Sequence, residues 1–135
     1  MKVVCQYISI DEMPPELTRS LTNLDRLRAI CAHRPRVTHG KSYTVYGVSC
    51  AEGNVWYDIV DDDAAPYPVS VLAAIFRVSD GRPSRLWVCR FNERGSFFLW
   101  PVSWYEDFYH DRLSEGDKKL VADFHKVKAE MDAEC

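Results

Sequence analysis

Short runs of β-branched and aromatic residues recur through the middle of the chain, each closed by residues that favour turns. Between Gly40 and Arg90 the breaks fall at Glu52-Gly53-Asn54, at Asp61-Asp62-Asp63 with Pro66 and Pro68, and at Asp80-Gly81. Residues 42–49 and 55–60 therefore read as two strands joined at Glu52-Gly53-Asn54. Residues 61–68 read as a loop, because two prolines remove ladder donors. Residues 69–74 fit a short helical turn or an irregular link, and residues 75–78 a further strand. Asp80-Gly81 signals a hairpin into residues 86–91, and the stretch from Asn92 to Ser96 turns the chain into residues 97–100. Strands of this length and spacing predict a small antiparallel sheet rolled into a barrel.

Helical periodicity flanks this region. Residues 3–10 read as a first strand, broken by Asp11-Glu12-Met13-Pro14-Pro15. Leu17, Leu21, Leu24, Leu27 or Arg28, and Cys31 then recur every three to four residues, which predicts one amphipathic helix of about four turns. His33-Arg34-Pro35 ends it, since the residue before a proline avoids the α region. Residues 104–109 suit a short helix. Ser114-Glu115-Gly116-Asp117 reads as a capping box for a helix over residues 117–132, with Leu120, Phe124, Val127 and Met131 on its apolar face. The predicted architecture is α+β in a single domain, residues 1–135. Residues 1–36 form a strand plus helix, 37–100 the β-barrel core and 101–135 a C-terminal helical segment.

A chain of 135 residues can bury one core without staples. Its five cysteines are scattered with no C-x-x-C, which argues against a disulfide framework and against structural zinc. Cys5, Cys50 and Cys89 fall in strand-like runs and are expected as reduced core thiols. No apolar run approaches a membrane span, and the N-terminus lacks the apolar centre of a signal peptide, so a cytoplasmic protein with no membrane partner is expected. The net charge of −3 is uneven: residues 101–135 carry nine acidic against five basic side chains. That balance argues against a dedicated nucleic-acid binder and suits a basic partner.

No catalytic signature stands out, and the chain is read as non-enzymatic with no cofactor. Asp61, Asp62 and Asp63 are adjacent carboxylates, but successive side chains in an extended loop point different ways and no EF-hand spacing accompanies them. They are read as a solvated turn or an acidic contact surface, with no metal site. Tyr43, Tyr46, Trp56, Tyr57, Tyr67, Trp87 and Trp100 suit a barrel core, and any exposed together would anchor an interface. His33, His39, His110 and His125 have no partner at metal-ligand or nucleophile spacing. A small hydrolase would need a pocket in which His39 or His110 meets a carboxylate. Gly40-Lys41-Ser42 echoes the end of a phosphate-binding loop, but the upstream glycine is missing and a strand follows.

Gly40-Lys41-Ser42-Tyr43-Thr44-Val45-Tyr46-Gly47, then Trp56-Tyr57-Asp58-Ile59-Val60-Asp61-Asp62, Tyr67-Pro68 and Ile75-Phe76-Arg77-Val78 resemble a pattern in small bacterial proteins with an SH3-like barrel. The stretch from Asp80 to Trp87 continues a longer variant of it, and about half the chain is covered. Some of those proteins look like immunity proteins encoded beside secreted toxins. The resemblance implies an SH3-like β-barrel flanked by two helices, and a cytoplasmic inhibitor that binds and neutralises a cognate, basic toxin. The expected contacts are Asp61, Asp62, Asp63 and Tyr67, with Glu106, Asp107 and Asp111 as a second acidic patch. The alternative is a nucleic-acid-associated SH3-like module, which expects Arg77, Arg82, Arg85, Arg90 and Arg94 on one face.

Overall fold

The structure is a computed structural model that describes residues 1–31, 36–63 and 65–134. Eight strands form two antiparallel sheets: β1 (Lys2–Cys5), β2 (Ser42–Thr44), β3 (Gly47–Ala51), β4 (Asn54–Ile59), β5 (Val69–Leu72), β6 (Phe76–Asp80), β7 (Trp87–Phe91) and β8 (Phe97–Pro101). The smaller sheet runs β2-β1-β6 and the larger β5-β4-β3-β8-β7. Among the described residues four α-helices accompany them: α1 (Pro15–Thr18), α2 (Leu24–Cys31), α3 (Tyr109–Ser114) and α4 (Lys118–Ala133).

The α+β class is as the sequence predicts, but the single closed barrel is not what forms. The chain changes sheets three times, at two bends and in the loop after β6. At the first, the Val45 N–H donates to the Met1 carbonyl while the next N–H, that of Tyr46, donates to the Asp58 carbonyl. One continuous strand is thereby divided into β2 and β3. At the second, a 3-10 turn over Ala73–Ile75 separates β5 from β6, where a helical turn or link was expected over 69–74. The ladders stop at these bends, so two sheets result.

Local turn chemistry decides several other elements. Glu52 and Gly53 both have positive φ, as a two-residue hairpin turn with the twist of its strands requires. Asn92 caps the β7–β8 turn by accepting from the N–H groups of Arg94 and Ser96. Asp80-Gly81, in contrast, makes no hairpin, because β6 pairs with β1 and β7 with β8. The Asp80 carboxylate instead accepts from the Arg82 backbone N–H and guanidinium, which ends the strand and directs the chain across to the larger sheet.

The single N-terminal helix is also corrected. It breaks into α1 and α2 because Asn23 takes a left-handed conformation, with φ 55°. Asn54 holds the break in place, its side chain accepting from the Thr22 N–H and donating to the Thr22 carbonyl. The predicted helix end at His33-Arg34-Pro35 lies outside the described residues. At the other end of the chain, Ser114 is not the cap. Asp117 is, accepting from the N–H groups of Lys119 and Leu120. The predicted stripe is the buried face of α4: Leu120, Phe124, Val127 and Met131.

Two apolar clusters follow. Val3, Tyr43, Val45, Ile59, Val71, Leu72 and Phe76 pack with Leu27 of α2 in the first. Tyr46, Trp104, Tyr109 and Leu113 pack with the α4 stripe in the second. Val45 and Tyr46 enter opposite clusters, as alternation along an extended chain dictates. Each fully buried side chain of this size contributes about 1.5–3 kcal/mol. Among the cysteines read as core thiols, Cys5 is buried and Cys50 half-buried. Cys89 is exposed, because β7 is an edge strand. No helix among the described residues is long and apolar enough to cross a membrane.

Candidate functional site

The second cluster supports a short acidic segment, residues 106–115. A 3-10 turn over Val102–Tyr105 drives Trp104 into the core, and Tyr109 follows it at the start of α3. The Ser103 and Tyr109 hydroxyls both donate to Asp123 of α4, at 2.8 and 2.7 Å. Burial and the Asp123 carboxylate push the Tyr109 phenol well above its usual range, so it stays a donor. Between these anchors the backbone takes a left-handed conformation at Phe108.

Phe108 has φ 60° and ψ 23°, a left-handed conformation that bulky residues rarely adopt. Its side chain is 75% exposed. Glu106, Asp107 and Asp111 are exposed around it, and none of these carboxylates takes a hydrogen bond or ion pair among the described residues. Sequence patterning had no means of finding Phe108: a left-handed aromatic carries no signature of its own.

Beside α3 lies a cleft of about 250 Å³, lined by Tyr67, Pro68, Ser70, His110, Asp111 and Ser114 among others. Tyr67 and Asp111, taken from two separate stretches of sequence, thus meet on one surface. Beneath it is Asp58 of β4, only 4% exposed. Its two oxygens accept from the Ser70 hydroxyl at 2.5 Å and the Trp100 indole N–H at 3.1 Å. Gly47 makes room for this pair, since a Cβ there would lie 2.5 Å from Asp58 Oδ2 and 2.7 Å from Trp100 Cδ1. Burial raises the Asp58 pKa against the opposing pull of Ser70, His110 and Trp100. The His110 ring stands edge-on to Trp100, Trp104 and Tyr109, with centroids 4.8, 5.2 and 5.6 Å away. Burial lowers its pKa, with Asp58 and Asp111 opposing, and its Nε2 is buried without a hydrogen-bond partner.

His110 thus does sit near a buried carboxylate, the arrangement a hydrolase reading asks for. Its chemistry is different. Ser70 donates its hydroxyl hydrogen to Asp58, and no bond among the described residues links Ser70 to His110, so the serine and the histidine are not joined as nucleophile and base. His39 lies exposed in the turn before β2.

Within the run from Asp61 to Asp63, Asp62 is the residue tied to the fold. Asp61 accepts from the Asp63 N–H. Asp62 accepts from the Thr38 and Tyr43 hydroxyls and pairs with Lys41. Partial burial opposes its ionisation, but the bonds from Lys41, Thr38 and Tyr43 outweigh that and hold its pKa below the usual range. Asp63 is exposed, with Arg36 at 3.6 Å. Asp62 and Asp63 therefore have local cations, unlike Glu106, Asp107 and Asp111. No group of acids, histidines and cysteines that could hold a metal occurs among the described residues.

The five arginines of the alternative reading are divided. Arg77 lies on β6 in the smaller sheet and Arg90 on β7 in the larger, while Arg82 and Arg85 pair with Asp80 and Glu134. Compared with known proteins, the chain matches no family model, no curated protein and no solved structure.

Proposed function

We propose that the protein is a non-enzymatic binding protein, an immunity protein that neutralises a basic bacterial toxin through the face formed by Phe108, Glu106, Asp107, Asp111 and Tyr67. The observation that carries this reading is Phe108: an aromatic side chain held mostly in solvent on a left-handed backbone, among carboxylates without local partners. Strained backbone persists where the surroundings over-determine it and clusters at functional positions. An aromatic anchor ringed by unpaired charge of one sign suits a partner that offers an apolar notch within a basic surface. The resemblance of the sequence pattern in residues 40–87 to small bacterial SH3-like proteins, some of which look like immunity proteins, supports the same reading.

The test is growth rescue. The polypeptide encoded beside this gene, expressed alone, arrests growth, and co-expression of this chain restores it. Phe108→Ala and Asp111→Lys each abolish rescue while retaining the wild-type circular dichroism spectrum. A neighbour that does not arrest growth, or rescue unaffected by both substitutions, overturns the reading.

A further inference from the structure

Natural sheets protect their free edges, and three of the four edges here are protected. β2 has only three residues and follows Lys41. β5 follows Pro66 and Pro68. β6 pairs irregularly with β1, its register shifting between Lys2 and Val3. The fourth edge, β7, has five residues in unbroken register with β8, with no proline and no bulge. Val88 is 40% exposed and Phe91 76% exposed on it.

We infer that β7 is a self-association edge, pairing antiparallel with β7 of a second copy about a twofold axis at Cys89. The direction of the backbone groups selects that register. The Tyr105 hydroxyl reaches both the Val88 and the Phe98 carbonyl oxygens, at 2.6 and 3.1 Å. Those two carbonyls therefore lie in the space between β7 and β8, where Val88 pairs with Trp100 and Arg90 with Phe98. By alternation, the N–H and C=O of Cys89 and Phe91 point to the free side. The Trp87 carbonyl joins them, while its N–H is satisfied by Ser84.

A twofold antiparallel pairing must place one outward-facing residue against itself. Cys89, in the middle of the strand, is that residue. The two Cys89 backbones exchange N–H···O bonds, and each Phe91 N–H meets the Trp87 carbonyl of the other copy. Side chains agree with the register. Phe91, which packs against the Phe97 ring of its own copy, lies across from Trp87, a favourable aromatic pair. Arg90 faces Val88 rather than another arginine. A register centred on Arg90 would oppose two guanidinium groups and would use backbone groups already bonded to β8. This pairing uses none of the residues of the proposed toxin-binding face.

The edge is short, so the dimer is concentration-dependent. Light scattering under reducing conditions, over roughly 10 μM to 1 mM for an interface this small, is expected to show the mass rising from 15.6 kDa toward twice that value. Cys89→Pro removes only the outward N–H, and Cys89→Lys sets two ammonium groups against each other across the axis. Both are expected to stay monomeric with unchanged circular dichroism, and Cys89→Ser to associate like wild type. Should Cys89→Pro not fold, Cys89→Lys decides. A wild-type chain that remains at 15.6 kDa throughout, or a folded Cys89→Lys that associates equally well, overturns the inference.

Discussion

Gly47 and Phe108 are two residues at which the backbone places a specific demand on the side chain. A methyl group on Gly47 would strike the Asp58 carboxylate and the Trp100 ring, both held in place by burial and by their mutual hydrogen bond. Gly47→Ala is expected to lose about 1–3 kcal/mol, the usual cost of overpacking, read from the midpoint and slope of a urea titration. Phe108 is the opposite case. Asparagine tolerates the left-handed conformation that costs other residues about 1–2 kcal/mol. Phe108→Asn should therefore raise the unfolding free energy by about 1 kcal/mol while weakening binding to the proposed toxin partner. A loss of stability instead would show that the phenylalanine ring supports the fold.

At the scale of elements, α4 is fixed at both ends. Its first turn is capped by Asp117, which also pairs with Arg112 at 2.8 Å. Asp117→Ala is expected to cost about 1 kcal/mol from the lost cap, measured by thermal unfolding. Its last turns are tied to the sheet by the Tyr46 hydroxyl, which donates to Asp132 at 2.8 Å, with Lys128 on the other oxygen. Burial, then the Asp132 carboxylate, push the Tyr46 pKa up to about 12. A raised pKa means that the neutral phenol is favoured in the folded state. Its contribution to stability is complete below the ordinary tyrosine pKa of about 10 and is lost as pH rises toward 12. An alkaline titration of the unfolding midpoint should fall across that window, and Tyr46→Phe should flatten it.

These elements also mark what the sequence can and cannot disclose. The α4 stripe, the Glu52-Gly53 turn and the Asn92 turn depend on residues a few positions apart, and they are legible. Asp80-Gly81 misleads because the partner of β6 is β1, some 75 positions away by register (Val3 with Val78), and no local pattern encodes that choice. The helix break at Asn23 depends on Asn54 for the same reason. In the candidate site, Tyr67 and Asp111 were legible as residue types. Phe108 was not, nor was the bracing role of Asp62, which ties the loop at 61–63 to Lys41 and Tyr43.

For the whole molecule, charge matters more at a distance than in any single pair. The surplus of acids over bases lies in residues 101–135, the same segment that carries Phe108. This places the charge where the proposed basic partner would be steered, and raising ionic strength from roughly 0.05 to 0.5 M should slow its association by about tenfold or more, with less effect on dissociation. Stopped-flow mixing at several salt concentrations checks this, and a salt-independent on-rate would remove charge from the recognition mechanism.

The rings packed around Trp100 carry one more implication. Phe98, Tyr105 and His110 lie within 4.6, 5.3 and 4.8 Å of it by centroid, and Trp104 is 6.3 Å away. Excitation absorbed by one indole migrates readily to the other at such separations, and an imidazolium quenches where a neutral imidazole does not. Intrinsic emission is thus a built-in optical gauge of the Asp58–His110 seat. It should stay bright through the pH range in which a free histidine would already have taken up its proton, and dim only below it.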